Sequence, residues 1–327
     1  MPVLIDLLWL VAGLIALYFG ADWLVGASAR LAVKLGITPL VVGLTVVAFG
    51  TSSPELFVSY QFNLDGLSDM AIGNVVGSNI CNIGLILGLS ALLYRLSVKS
   101  ILIKRDMPFL LVASVVFVVM VWNGEIARWE GILLVVGIVI YTIYCIRESK
   151  LEKDPSVLKE FEEEYGDGEA KQENLWKLIG LILIGLVALY FGAEWLKKGG
   201  VSIAQRLGVP NAVISLTLIA FATSVPELAT SIVAAMKREG DIIIGNVIGS
   251  SIFNLLCVVG ITSVAKPMAI QEISTADLIV MGAFTVVLMP MMITRWMIGR
   301  IEGGILLAGY AAYVVYLYFD RVLPATA

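Results

Sequence analysis

Histidine occurs nowhere in the 327 residues. Its absence removes the commonest transition-metal ligand and the side chain that titrates nearest neutrality, which argues against a zinc site or a histidine proton relay. Cysteine is scarce. Cys81, Cys145 and Cys257 each sit in an apolar run, without metal-ligand spacing and too few for a disulfide framework. Charge is thin too, at 15% of residues against about a quarter in an average soluble chain, while 59% of residues are hydrophobic. No nucleophile–base pair and no phosphate loop can be recognised, so an enzyme is not expected. Neither a cofactor, nor nucleic acid, nor an obligatory protein partner is implied.

What the chain has in abundance is long apolar runs, at 7–27, 38–62, 71–94, 107–122, 129–146, 175–196, 210–236, 242–265, 274–294 and 303–319. About 20 apolar residues suffice to cross a hydrocarbon core of about 30 Å. Lipid cannot satisfy backbone polar groups, so such runs must be helices. The expectation is an all-α polytopic membrane protein with ten transmembrane helices in a lipid bilayer. The first run has no positive segment ahead of it and no cleavage pattern, so it reads as a spanning helix. One long polar stretch, Arg147–Asn174, holds much of the acidity behind the net charge of −4 and reads as a solvated linker.

A shift of 172 residues lays Leu17-Tyr18-Phe19-Gly20-Ala21-Asp22-Trp23-Leu24 on Leu189-Tyr190-Phe191-Gly192-Ala193-Glu194-Trp195-Leu196. The same shift lays Pro54-Glu55-Leu56 on Pro226-Glu227-Leu228, Gly73-Asn74-Val75 on Gly245-Asn246-Val247, and Tyr141 and Tyr144 on Tyr313 and Tyr316. One offset held from end to end is a duplication. The expected units are 1–150, an acidic cytoplasmic linker 151–174, and 175–327. Each half holds five runs, an odd number, so the second enters the membrane inverted. Inverted repeats are a recurrent plan of secondary transporters, with the substrate site near the midplane. With both termini outside, the cytoplasmic side takes Arg30, Lys34, Arg95, Lys99, Lys104, Arg105, Lys237, Arg238, Arg295 and Arg300, as the positive-inside rule asks. A loop over Lys197–Arg206 runs against it.

Glu55 and Glu227 lie well inside apolar runs, where a carboxylate is costly and its default reading is functional. Asp22 and Glu194 are expected near helix ends, in structural or interfacial roles. Ala48, Thr51 and Ser52 precede Glu55 by seven, four and three residues and share its helical face. Pro54 has no N–H, which should free the Gly50 carbonyl and bend the helix. Ala220, Thr223, Ser224, Pro226 and Glu227 repeat the arrangement. Hydroxyls, carbonyls and a carboxylate make an all-oxygen site of the kind hard cations such as Ca²⁺ prefer. The next run in each half adds a stripe at i, i+4, i+8: Asn74, Ser78 and Asn82, then Asn246, Ser250 and Asn254. Such residues can merely join helices. Two matching stripes beside two buried glutamates favour ligands, with Asn74 and Asn246 still open to a packing role.

Gly50-Thr51-Ser52-Ser53-Pro54-Glu55 with Gly73-Asn74-Val75-Val76-Gly77-Ser78-Asn79-Ile80-Cys81-Asn82 resembles the first α-repeat of the sodium/calcium exchanger family. Ala222-Thr223-Ser224-Val225-Pro226-Glu227 with Gly245 to Asn254 resembles the second. The resemblance covers essentially the whole chain and is nearest to compact prokaryotic members. It implies a metal site formed by Ala48, Thr51, Ser52, Glu55, Ser78, Asn82, Ala220, Thr223, Ser224, Glu227, Ser250 and Asn254. It also implies exchange of Na⁺ for Ca²⁺ across a prokaryotic plasma membrane, electrogenically, as the first and sixth helices slide across a fixed core. Asn254 stands where potassium-dependent members carry Asp, which implies K⁺ independence. Ala222 replaces the usual Gly, which makes the site pseudo-symmetric. The alternative on the same fold is Ca²⁺/H⁺ antiport. Thr-Ser-x-Pro-Glu, rather than the Gly-Asn-x-x-Glu of that branch, argues against it.

Overall fold

The computed structural model describes residues 2–151, 173–206, 220–270, 274–317 and 319. The linker reading for 151–174 and the start of the seventh run therefore fall largely outside the described residues. Helices form where the sequence has its apolar runs: α1 (Pro2–Leu35), α2 (Pro39–Thr51), α3 (Ser53–Leu64), α4 (Ser68–Leu93), α5 (Leu102–Trp122) and α6 (Arg128–Leu151). They continue as α7 (Leu175–Arg206), α8 (Ala220–Thr223), α9 (Val225–Met236), α10 (Gly240–Ala265), α11 (Thr275–Arg295) and α12 (Arg300–Leu317). Seven of them are long and apolar enough to cross a membrane, and α2 with α3, bent by 44°, makes an eighth, broken span.

Burial sorts the helices into an inner and an outer set. The central stretch of α10 is wholly buried and most of α4 is too, whereas α1, α6 and α7 bury less than a third of theirs. An apolar helix exposed on most of its surface belongs against lipid. α1 and α7 pack on each other along much of their length. Glycines let the backbones touch: a Cβ on Gly13 would stand 2.8 Å from the Gly192 carbonyl, and one on Gly20 would stand 2.9 Å from that of Gly185. Small residues are what permit such approach in a membrane, where packing rather than hydrophobicity joins helices.

Two short ladders close the helix ends. β1 (Leu96–Ser97) pairs antiparallel with β4 (Met297–Ile298), and β2 (Glu125–Ile126) with β3 (Met268–Ala269). The 172-residue offset turns the Leu96–Ile298 partnership into Met268–Ile126, so the duplication exchanges one ladder for the other.

Two sequence expectations need correction. Asp22 and Glu194 are not near helix ends, because α1 runs on to Leu35 and α7 to Arg206. For the same reason Lys197–Arg206 is the final part of α7 and no loop. Packing carries α7 on through Gly199 and Gly200: a Cβ on Gly199 would stand 2.8 Å from the Asp6 carbonyl of α1, and Arg206 pairs with the Asp6 carboxylate at 2.8 Å.

Candidate site at the crossing of the two halves

Both broken helices break at the same place. Ser52 (φ −85°, ψ 4°) separates α2 from α3, and Ser224 (φ −88°, ψ 3°) separates α8 from α9. Pro54 and Pro226 occupy the first turn of the helix that follows, where a missing N–H costs nothing. The bend expected from Pro54 is present, and it centres on Ser52. Glu55 and Glu227 each fall in that first turn, at the positive end of the helix dipole, which favours a carboxylate.

The hydrogen bonds cross between halves. Ser52 Oγ donates to Glu227 Oε1 at 2.8 Å, and Ser224 Oγ donates to Glu55 Oε1 at 3.1 Å. Thr51 Oγ1 donates to Asn246 Oδ1 at 3.2 Å, and Thr223 Oγ1 to Asn74 Oδ1 at 3.4 Å. Asn74 Nδ2 then donates to Ser59 Oγ at 3.0 Å, and Asn246 Nδ2 to Ser231 Oγ at 3.4 Å. Each bond is converted into its partner by the 172-residue offset. The Ser78 and Ser224 hydroxyls lie 3.3 Å apart, and Ser250 Oγ is 3.5 Å from Asn246 Oδ1.

Both glutamates are 1% exposed, and Oε2 of each has no hydrogen-bond partner. The same holds for both amide atoms of Asn82 and of Asn254. Buried polar groups are nearly always paired, and exceptions call for a functional reason. Asn82 and Asn254 each open a wide π turn, Asn82–Leu87 in α4 and Asn254–Val258 in α10. A third wide turn, Gly43–Val47, precedes Ala48. Such bulges interrupt the regular carbonyl ladder and recur at functional sites.

Of the expected site residues, Thr51, Ser52, Glu55, Ser78, Asn82, Thr223, Ser224, Glu227, Ser250 and Asn254 are all buried. The Ala48 carbonyl accepts the Ser52 amide at 3.0 Å and keeps one lone pair. Ala220 opens α8. Asn74 and Asn246 take a bridging role, each joining a threonine of the opposite half to a serine of its own. Those serines, Ser59 and Ser231, were missed by sequence reasoning. Their signal was a shared place four residues after each glutamate.

The sodium/calcium exchanger protein family model matches residues 5–147 and 177–319, two stretches with the same 172-residue offset. CaxA of Alkalimonas amylolytica is 34% identical over 320 residues, covering 96% of this chain and 99% of CaxA. The sodium/calcium exchanger MaX1 of Methanosarcina acetivorans is 32% identical over 346 residues, covering 96% and 99%. A solved structure of the sodium-calcium exchanger NCX_Mj superposes with a TM-score of 0.81 at 30% identity, over 96% of this chain and 99% of that one. A chain matched in both halves and over its length by such relatives, with its two motifs meeting at one buried centre, belongs to the sodium/calcium exchanger family, whose members are membrane transporters and not enzymes.

Proposed function

We propose that this chain is a secondary antiporter that exchanges Na⁺ for Ca²⁺ by alternating access. The carrying observation is the pair of buried carboxylates, each hydrogen-bonded through Oε1 to a serine of the opposite half and each with Oε2 unpartnered. Two carboxylates match one Ca²⁺ or two Na⁺ in charge, so loading with one cation excludes the other. The ligands are the carboxylates of Glu55 and Glu227, the hydroxyls of Thr51, Ser52, Thr223, Ser224, Ser78 and Ser250, the amide oxygens of Asn82 and Asn254, and the Ala48 and Ala220 carbonyls. Ca²⁺ takes about six to eight oxygen donors, and this set supplies more than that, enough for more than one cation position around the two glutamates.

The architecture of this reading is ten spans in two inverted five-helix repeats, 1–150 and 175–327, joined by the cytoplasmic linker 151–174. The exchange of the β1–β4 and β2–β3 ladders under the offset supports it. Both termini lie outside a prokaryotic plasma membrane, which the lysine and arginine distribution supports. Asn254 in place of Asp supports independence of K⁺; electrogenic exchange, which the family resemblance implies, needs more than two Na⁺ to move for each Ca²⁺. The test is ⁴⁵Ca²⁺ uptake into proteoliposomes under an outward Na⁺ gradient, compared with a pH gradient. Uptake follows the Na⁺ gradient, responds to membrane potential and is unchanged when K⁺ is replaced by choline. Uptake driven by the pH gradient alone would transfer the site to Ca²⁺/H⁺ exchange.

A further inference from the structure

The duplication makes α7 and α3 equivalent to α1 and α9, yet the two pairs do not sit alike. α7 stands off from α3, leaving a cleft of about 190 Å³ lined by Pro54, Phe57, Gln61, Tyr190, Glu194 and Thr223. Pro54 and Thr223 belong to the site, so this cleft reaches it. α1, by contrast, packs closely along α9. The antiport reading above already requires a second route to the site; resting on it, we propose that the Asp22–Lys237 ion pair latches that route shut at the α1–α9 face and that Ser28 and Thr230 line it.

Two independent observations carry the assignment. Ser28 on α1 and Thr230 on α9 are fully buried, and neither hydroxyl has a hydrogen-bond partner. A buried hydroxyl left unpaired is destabilising and demands a reason. Parting of α1 from α9 supplies one, because water or a passing cation would then satisfy both oxygens. The second observation is the ion pair. Lys237, at the end of α9, reaches Asp22 on α1, with Nζ 2.8 Å from Oδ1 and donating to the Asp22 carbonyl at 3.0 Å. Gly26 leaves the ammonium room, since a Cβ there would stand 3.3 Å from Nζ.

The other half cannot build the same latch. Glu194, the counterpart of Asp22, pairs with Lys197 on its own helix and so bridges nothing. The counterpart of Lys237 is Asp65, an acid, which accepts from Gln61. Thus one face carries a clasp and the equivalent face carries a cleft. Asp22 and Lys237 are each about a third exposed, so the clasp is of the modest, solvent-screened kind.

The experiment places one thiol at a time, Thr230→Cys or Ser28→Cys, in the full chain reconstituted in liposomes. The three natural cysteines are buried, so background is low. A membrane-impermeant methanethiosulfonate is added to one side, then to the other, and labelling rates are compared with and without Lys237→Met. Labelling from one side only, accelerated about fivefold by Lys237→Met, is expected for a partly exposed pair. The charge-swapped double variant, Asp22→Lys with Lys237→Asp, returns the slow rate. Equal rates with and without the latch, or no labelling in either, overturn the proposal. Ion exchange is measured in parallel on the unsubstituted chain. If it fails, the antiport reading fails on its own, because the labelling rates report the latch whether or not ions move.

Discussion

Ser52 in the first half holds the Glu227 carboxylate of the second at 2.8 Å, and Ser224 in the second half holds Glu55 of the first at 3.1 Å. Each carboxylate thus takes a serine hydrogen bond from the opposite half. The consequence is that a displacement of either broken helix changes the surroundings of both glutamates. A site of this kind couples binding to the relative position of the halves without any further device.

Glu55→Gln and Glu227→Gln each abolish exchange and leave folding intact. An amide Oε1 can still accept from Ser224 or Ser52, so the serine bond survives. What is lost is the negative charge, and with it the match to a divalent cation. Uptake of ⁴⁵Ca²⁺ in liposomes and a symmetric gel-filtration profile in detergent check the two parts. Normal transport by either variant removes the proposed site.

Ser52→Ala weakens cation binding while keeping the carboxylate. A hydrogen bond to a charged group contributes about 1.5–3 kcal/mol, which corresponds to a rise in the KM for Ca²⁺ of about tenfold or more. Ser224→Ala acts likewise on Glu55. An unchanged KM for Ca²⁺ in both serine variants would show that the serines act elsewhere.

Much of this was legible from the residues alone. Buried glutamates beside proline, repeated at a fixed offset, mark the centre without any coordinates. The pairing across halves was not legible, because Ser52 and Glu227 are 175 positions apart and local spacing says nothing about which glutamate a serine meets. Helix length was misread at Asp22 and at Lys197–Arg206 for a different reason. Hydropathy marks where a helix leaves lipid, whereas helix formation continues as long as the backbone ladder and the packing of the helix allow.

Gly249→Ala destabilises the protein. A Cβ at this position would lie 2.7 Å from the Leu44 backbone and 2.9 Å from the Ala48 side chain, so α10 and α2 must separate. Overpacking a tight helix crossing costs about 1–3 kcal/mol. The Ala48 carbonyl moves with α2, so the KM for Ca²⁺ rises as well. Gly180→Ala, where nothing lies within 4 Å of an added Cβ, is the neutral control. Thermal unfolding in detergent distinguishes the two.

Asn82 and Asn254 offer the sharpest separation of stability from function. Each presents an amide with neither its oxygen nor its nitrogen hydrogen-bonded, on a residue at most 1% exposed. In a purely structural position, replacing asparagine would break bonds and lower the melting temperature. Here there are no bonds to break, and removing an unsatisfied buried polar group is neutral or stabilising. Asn254→Ala therefore leaves the cation-free protein as stable as before, or more so. The same variant loses stabilisation that Ca²⁺ confers, since a ligand that binds only the folded state raises stability with the logarithm of its concentration over its Kd. Melting curves with and without Ca²⁺ read both quantities in one experiment. A drop in the cation-free melting temperature with an unchanged Ca²⁺-induced shift would make Asn254 a packing residue.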